Sequence, residues 1–321
     1  MASTLLILLY HGVSNSSSIG IENNSKKHIS LDLYYNQMVF LKENANLVTM
    51  DDVIDYYKKN KPFPKNSVAI TFDDGFENNY TNCLPIIDEL EIPTTFYISS
   101  GLIGTKNMFW VDILEDCLNM SDKKEIEIVI NNKQINFDLR HQKNKLRSLK
   151  KIKKFCKSTT NETRLDIVSQ IIETTEVTPS PDHAENYKIL NWNQLKEMYN
   201  NSNVIIGGHS LNHEILSSME KDKMSKNIKE SLNLLNINLS TVTNHYSYPE
   251  GQDEHYNHKV INVLEEHGIQ CSPSARYGLN YPDNDLFNLY RVMVGFDMIP
   301  FPYEMIKNGG NLPAVSGEKN G

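Results

Sequence analysis

The chain has little of what staples or anchors a protein. Only 4 of its 321 residues are cysteine. Cys83, Cys117, Cys156 and Cys271 are scattered, with no Cys-x-x-Cys pair. That argues against a thiolate zinc site or a disulfide framework and leaves them as small apolar fillers. Positive charge is in deficit: 32 basic against 40 acidic residues give a net charge of −8, which speaks against a general binder of nucleic-acid backbone. One basic run, Lys143 to Lys157, includes Lys145, Arg147, Lys150, Lys151, Lys153 and Lys154. It reads as a solvated helix face or as an anion contact. Long apolar runs are missing too. Leu5–Leu9 falls short of the roughly 7–15 residues of a signal-peptide core and the roughly 20 of a membrane span. No basic residue precedes it and no small-residue cleavage site follows. It reads as a buried strand, so no stable membrane insertion is expected and the cytoplasm is the default location.

What is present is ordinary globular material, 39% hydrophobic and 22% charged, long enough for one large domain or two average ones. Short apolar runs end in polar residues. Leu5–Leu9 leads to Tyr10-His11, Val68–Phe72 to Asp73-Asp74-Gly75, Thr94–Ile98 to Ser99-Ser100-Gly101, and Val204–Ile206 to Gly207-Gly208-His209. Each reads as a buried strand closed by a turn. Tyr246-Ser247-Tyr248 and Tyr290–Val294 are weaker strand candidates. Helical patterns lie between, at Leu31–Asn44, Met50–Lys59, Asn79–Leu90, Asn193–Tyr199, Lys221–Leu235 and Asn257–His267. The alternation predicts an α/β fold with a parallel sheet, barrel-like or doubly wound, whose functional side chains gather at the carboxyl ends of strands. Residues from about 106 to 188 break the rhythm and predict a mostly helical insertion, with a hairpin at Glu125–Asn131 and Gln134–Leu139. The expectation is one domain over 1–305 and a flexible tail over 306–321.

Two constellations carry chemistry. In Thr71-Phe72-Asp73-Asp74-Gly75, a turn at the glycine lets adjacent carboxylates reach one cleft. Two anions held together repel, so one needs a cation, and a divalent metal on one leaves the other free as a base. Asp-Asp-Gly before a helix also serves as an N-cap. In His209-Ser210-Leu211-Asn212-His213, histidines four apart share a face of a helical turn and can bind one ion, or they are two surface histidines. Gly207-Gly208 permits a close backbone approach. Together, two imidazoles and one carboxylate make a three-ligand set that leaves positions open for water and substrate.

Thr-Phe-Asp-Asp-Gly followed by His-Ser-x-x-His resembles the polysaccharide deacetylase family, also known by its NodB homology and as carbohydrate esterase family 4. The likeness runs from about Leu5 to Val294 and implies a distorted (β/α)7-type barrel with a divalent metal, usually zinc, sometimes cobalt or nickel. It implies Asp73 as catalytic base and Asp74, His209 and His213 as metal ligands, with Ser210 bracing the histidine loop. Ser247-Tyr248-Pro249-Glu250-Gly251 matches the third motif, where the Glu250 amide would hold an oxyanion. Ser247 stands where that motif has an arginine, and Arg291 is the candidate replacement. The usual late leucine-x-x-histidine is missing. Tyr10-His11-Gly12 instead resembles the branch containing poly-N-acetylglucosamine deacetylases, which makes His11 the candidate general acid. Trp110, in Phe109-Trp110-Val111-Asp112, is a candidate sugar contact or a packing residue, and Tyr248 is a second candidate sugar contact. His141, His183, His245, His255, His258 and His267 have no motif spacing.

The implied activity is hydrolytic removal of an N-acetyl group from an amino sugar, in a small molecule or oligosaccharide serving as a glycan precursor in surface-polysaccharide synthesis. A deformylase or other amidohydrolase acting on a nucleotide-linked sugar is the alternative, as is a non-catalytic glycan-binding protein of the same fold.

Overall fold

The computed structural model describes residues 4–296 and 300–314. The chain opens with β1 (Leu5–Tyr10), every residue of which is buried. A side ribbon of β2 (Gly12–Ser14) and β3 (His28–Ser30) leads into α1 (Leu31–Asn44), capped by Ser30. Then come β4 (Asn46–Leu47) and α2 (Met50–Lys58), where Thr49 and Asp52 form a capping box. Next are β5 (Ser67–Phe72), α3 (Leu84–Leu90) and β6 (Thr94–Ile98). Like β1, strands β5 and β6 are buried at every position, as expected of parallel strands covered on both faces.

The insertion follows as α4 (Trp110–Met120), the hairpin β7 (Glu125–Ile130) and β8 (Lys133–Asp138), α5 (Gln142–Lys157) and α6 (Asn161–Thr175). It encloses its own apolar cluster, built from residues such as Leu114, Ile128, Phe137, Ile152 and Ile171. Three buried α4 carboxylates reach instead to the loop before β3 and to the segment after α6. Lys27 pairs with Asp112 at 2.8 Å, the Asn23 backbone donates to Glu115 at 2.8 Å, and the Asp116 carboxylate meets His183 Nδ1 at 2.9 Å. The basic run lies on α5. Lys145 turns in to the Asn119 and Ser121 carbonyls, and Lys157 reaches Glu250 at 2.5 Å, so the run is not solvated along its whole length.

The chain then returns through α7 (Trp192–Tyr199), β9 (Val204–Gly208), α8 (Lys221–Leu239) and α9 (His258–Glu266) to β10 (Val292–Met293) and α10 (Tyr303–Asn308). This last helix occupies the beginning of the stretch expected as a tail, and residues 315–321 lie outside those described.

The parallel sheet runs β10-β1-β5-β6-β9, with β4 paired to the first residues of β5 and β6 to its last. The expected α/β architecture is there, but no continuous ladder closes a barrel among the described residues. Beyond β9, single bonds through irregular chain replace strands. Ser247 donates to Gly208, Tyr246 to Cys271, and Ser274 to Leu289, which leads back to β10. The weak strand patterns at 246–248 and 290–294 mark this arc. No helix among the described residues is long and apolar enough to cross a membrane.

Gly207 and Gly208 let β9 pass between aromatic rings. A Cβ on Gly207 would lie 2.6 Å from the Tyr97 ring, and one on Gly208 2.8 Å from the Tyr246 ring. Gly207→Ala is therefore expected to cost about 1–3 kcal/mol through overpacking, read as a lower midpoint in urea unfolding; an unchanged midpoint would refute the close-approach argument.

Candidate metal centre and active site

The carboxyl ends of β1, β5 and β9 converge with the loop at 247–251. The Asp73 backbone donates to the Tyr10 carbonyl (3.0 Å), which fixes the end of β5 beside that of β1. The chain then turns sharply, with φ at +82° for Asp74 and +96° for Gly75, so the turn begins one residue earlier than Gly75. Both carboxylates end up buried, each 4% exposed. They do not cap the helical segment that follows, whose N-cap position is Asn78.

The two aspartates have different partners. Arg291 donates from Nη1 to Asp73 Oδ1 and from Nη2 to Oδ2, both at 2.8 Å. Ser247 Oγ adds a bond to Oδ2 at 3.1 Å, and Arg291 Nη2 also donates to Ser247 Oγ. Burial pushes the Asp73 pKa up, but the Arg291 guanidinium and His209 outweigh it and hold the carboxyl below its ordinary value. Asp74 instead presents Oδ1 to His209 Nε2 at 3.5 Å and to His213 Nε2 at 3.4 Å, while Asp73 Oδ2 is 4.0 Å from His209 Nε2. Burial raises Asp74 as well, yet His213 and His209 keep it far below the usual carboxylate range.

The histidines do not share a helical face, as their spacing suggested. Residues 209–213 form a turn in which Ser210 and His213 both have φ at +59°. Ser210 Oγ accepts from the Glu214 backbone and donates to the Glu214 carboxylate, so it braces this turn. The two rings end 5.0 Å apart between centroids. His209 Nδ1 lies 2.9 Å from the Ser247 carbonyl, to which it can only donate. The lone pair is thereby left on Nε2, the arrangement of a metal-ligating imidazole. Asp74 Oδ1, which faces both rings, is buried with no hydrogen-bond partner. The three ligand atoms lie within 4.8 Å of one another, and two imidazoles with a carboxylate suit a divalent ion such as zinc.

The other expected residues are distributed unevenly. His11 follows β1 with Nδ1 buried and unpartnered, edge-on to Phe296 at 5.3 Å. Burial draws its pKa down to about 4, against the opposing pull of Asp74 and Asp73. Glu250 has φ at +61°, and its side chain, pushed up by burial, is held at about 2 chiefly by Lys157. Trp110 and Tyr248 are not placed as sugar contacts. Trp110 belongs to the insertion's apolar cluster, with the Arg164 guanidinium 5.2 Å above its ring. Tyr248 stacks on Tyr256 at 4.1 Å and donates to the Phe287 carbonyl. Both rings are spent on packing. From the Trp110 motif it is Phe109 that touches the site, edge-on to His213 at 5.5 Å.

Sequence reading missed Asn78 and Asn79, although they stand just past the Asp-Asp-Gly turn. Asn79 Nδ2 donates to the His11 carbonyl at 2.8 Å, and Asn78 reaches His28. The segment Asn79–Cys83 is a π-helical turn, a distortion often found at functional sites. Lys27 and His28 carried no motif signal.

This is a parallel α/β scaffold presenting a carboxylate–imidazole cluster beside an arginine-bound carboxylate. The chain belongs to the polysaccharide deacetylase family, which residues 60–154 and 155–272 match. It is 38% identical over 100 residues to the poly-β-1,6-N-acetyl-D-glucosamine N-deacetylase of Staphylococcus aureus, covering 31% of this chain and 33% of that protein. The match thus spans about a third of those curated relatives. Among solved structures it resembles IcaB from Ammonifex degensii (TM-score 0.60, 17% identity, 96% and 97% of the two chains). It likewise resembles the Streptococcus pyogenes deacetylase PplD in complex with acetate (TM-score 0.59, 17% identity, 93% and 95%). At that identity the likeness is one of fold.

Arg291→Met leaves Asp73 a buried charge without its cation, at an expected cost of about 3–5 kcal/mol near neutral pH. The sign with pH follows from the shift. In the native protein the lowered Asp73 value contributes stability above its unfolded pKa, lost only as pH falls through the folded one. Without Arg291, burial raises the folded value, so the penalty grows as pH climbs above about 4. Urea unfolding of both proteins at pH 4 and pH 7 is expected to show the larger gap at pH 7; equal gaps would contradict this account.

Proposed function

We propose that the chain is a metal-dependent hydrolase that removes the N-acetyl group from an amino sugar. One observation carries the reading: adjacent carboxylates divide their roles, Asp74 facing two imidazoles while Asp73 is tied to Arg291. A divalent ion held by Asp74, His209 and His213, zinc before cobalt or nickel, would polarise the acyl oxygen and lower the pKa of a water.

The residues do the rest. Asp73, kept ionised by Arg291, accepts the proton of the water that attacks the acyl carbon. The Glu250 backbone N–H is the candidate donor to the developing oxyanion. His11 serves the leaving nitrogen. Its ring is neutral at pH 7 because burial holds its pKa at about 4. Asp74 and Asp73 pull the other way, and negative charge building on the substrate adds to that pull, so the ring takes up a proton from solvent as the intermediate forms and passes it to the leaving nitrogen, while the proton held by Asp73 returns to solvent as acetate departs. The products are acetate and a free amine. A non-catalytic glycan binder would have no need for this division of labour.

For the substrate, the name of the Staphylococcus aureus relatives supports an N-acetylglucosamine glycan, and the acetate bound to the Streptococcus pyogenes deacetylase supports acetyl as the acyl group. We assign the chain to oligosaccharide or precursor forms of such a glycan in surface-polysaccharide synthesis.

Acetate and formate release from N-acylated glucosamine oligomers tests this, with metal content measured in parallel. Asp73→Asn is expected to keep the metal and lose at least about a hundredfold in kcat, the scale of general base catalysis. Full turnover in that variant would remove Asp73 from the role. His11→Ala should likewise keep the metal and lose about a hundredfold in kcat; an unchanged rate moves the proton donor elsewhere.

A further inference from the structure

The basic run ends on a residue that reaches out of its own substructure. Lys157 closes α5, and its Nζ meets Glu250 Oε2 at 2.5 Å, across the seam between the insertion and the loop at 247–251. The end of α5 is fixed from within. Ile152 and Cys156 are fully buried in the insertion's cluster, and Arg164 Nε donates to the Cys156 carbonyl at 2.9 Å. Arg164 is 3% exposed, bonds Asn161 through Nη1, and its charge also reaches Glu250. Lys157 is therefore the tip of a rigid arm.

Glu250 has need of one. The Gly251 N–H donates back to the Pro249 carbonyl at 2.8 Å, around a central residue with φ at +61°. A three-residue turn with positive φ is a rare and strained form, and such strain persists only where the surroundings impose it. Asp74 sits in a turn of the same kind, where the Gly75 N–H donates to the Asp73 carbonyl at 3.2 Å around φ of +82°. There the Asp74 side chain is held between two imidazoles. At Glu250 the side chain's hold is the ion pair with Lys157. Downstream, the Ala275 N–H pins the Gly251 carbonyl, while the Glu250 N–H itself makes no hydrogen bond among the described residues. The Glu250 carboxylate is only 12% exposed and lies within electrostatic reach of His213, so this turn borders the metal ligands.

We propose that Lys157 is a positioning residue: by holding the Glu250 carboxylate it keeps the 249–251 turn in its strained form and the Glu250 N–H directed at the place where an oxyanion forms. Without that cation, a nearly buried carboxylate gains by moving out to water, and the turn relaxes with it. The inference rests on the deacetylase reading and gives the insertion a part in it.

The test compares wild type with Lys157→Met, Lys157→Arg, Glu250→Gln, the Lys157→Met/Glu250→Gln pair, and Lys154→Met, an exposed neighbour on α5. Each is assayed by acetate release from the β-1,6-linked N-acetylglucosamine pentamer and by hydrogen exchange over residues 247–251, with metal content and melting temperature as controls. Lys157→Met is expected to lower kcat about tenfold, a fraction of what losing an oxyanion donor costs, with KM within about twofold of wild type. Exchange at the Gly251 amide, which the turn protects, should rise about tenfold in that variant. Lys157→Arg should restore both, and Lys154→Met should change neither. Because the lysine acts through the glutamate, the double variant should lose no more than the weaker of its two single variants. The inference is overturned if folded, metal-loaded Lys157→Met turns over as wild type does, if KM alone rises, or if the losses of the double variant multiply. Wild type that releases no acetate would instead defeat the deacetylase reading. Exchange would then decide the clamp alone, faster in Lys157→Met sustaining it and unchanged removing it.

Discussion

Two carboxylates next to each other in sequence are buried side by side, and the structure depends on keeping them apart electrostatically. Two anions a residue apart cannot both stay charged in a protein interior without separate compensation. Arg291 supplies one compensation through a two-pronged bond to Asp73, and it is itself almost fully buried, with Nε donating to the Ser274 carbonyl. The other would come from a divalent ion held between Asp74 and the two imidazoles, whose Nε2 atoms stand 3.5 and 3.4 Å from its Oδ1. The positive φ of Asp74 is the mechanical half of the same solution, because it rotates the second carboxylate away from the first.

Backbone strain follows the chemistry. Asp74, Ser210, His213 and Glu250 all adopt left-handed φ without being glycine, a conformation costing of order 1–3 kcal/mol per residue that persists only where the surroundings dictate it. The surroundings here are rigid strands. The Asp74 carbonyl accepts from Ser99 just past β6, His209 donates its backbone N–H to Ile98, and the Ser247 amide donates to Gly208. Each strained residue is clamped within a few positions of a buried strand end. Irregular chain over 244–251 and 267–291, on either side of α9, is compatible with this, since regular strands there would not leave the 247–251 loop free to turn its carbonyl onto His209.

The sequence made the regular parts legible and the reciprocal parts obscure. β1, β5, β6 and β9, most helices and even the insertion hairpin follow from apolar periodicity, because burial on both faces of a parallel sheet writes uninterrupted apolar runs. The two motifs yielded Asp73, Asp74, His209 and His213 because each lies at a strand end followed by turn residues. The helical reading of His209–His213 failed for a physical reason: four-residue spacing is consistent with a helix, but Ser210, bonded to Glu214 both ways, makes a tighter turn. Trp110 took the packing alternative and Tyr248 packs against Tyr256, because an aromatic near a motif looks the same in sequence whether it stacks on a sugar or fills a core. Lys27, His28 and the ribbon of β2 and β3 were invisible, since their partners Asp112, Asn78 and Gly12 are identified only by the fold.

Arg291 shows how a missing motif residue need not mean a missing function. The resemblance calls for an arginine near the third-motif proline, where this chain has Ser247. The charge arrives instead from the residue preceding β10, on the far side of β1, and Ser247 has become the small hydroxyl that bonds both the guanidinium and Asp73. An arginine at 247 would compete with Arg291 for the same buried carboxylate and place two cations against one anion, so the small hydroxyl of Ser247 fits the space that Arg291 leaves beside Asp73. What the site requires physically is a cation at Asp73, and several strands of a parallel sheet can deliver it because their carboxyl ends meet at one place.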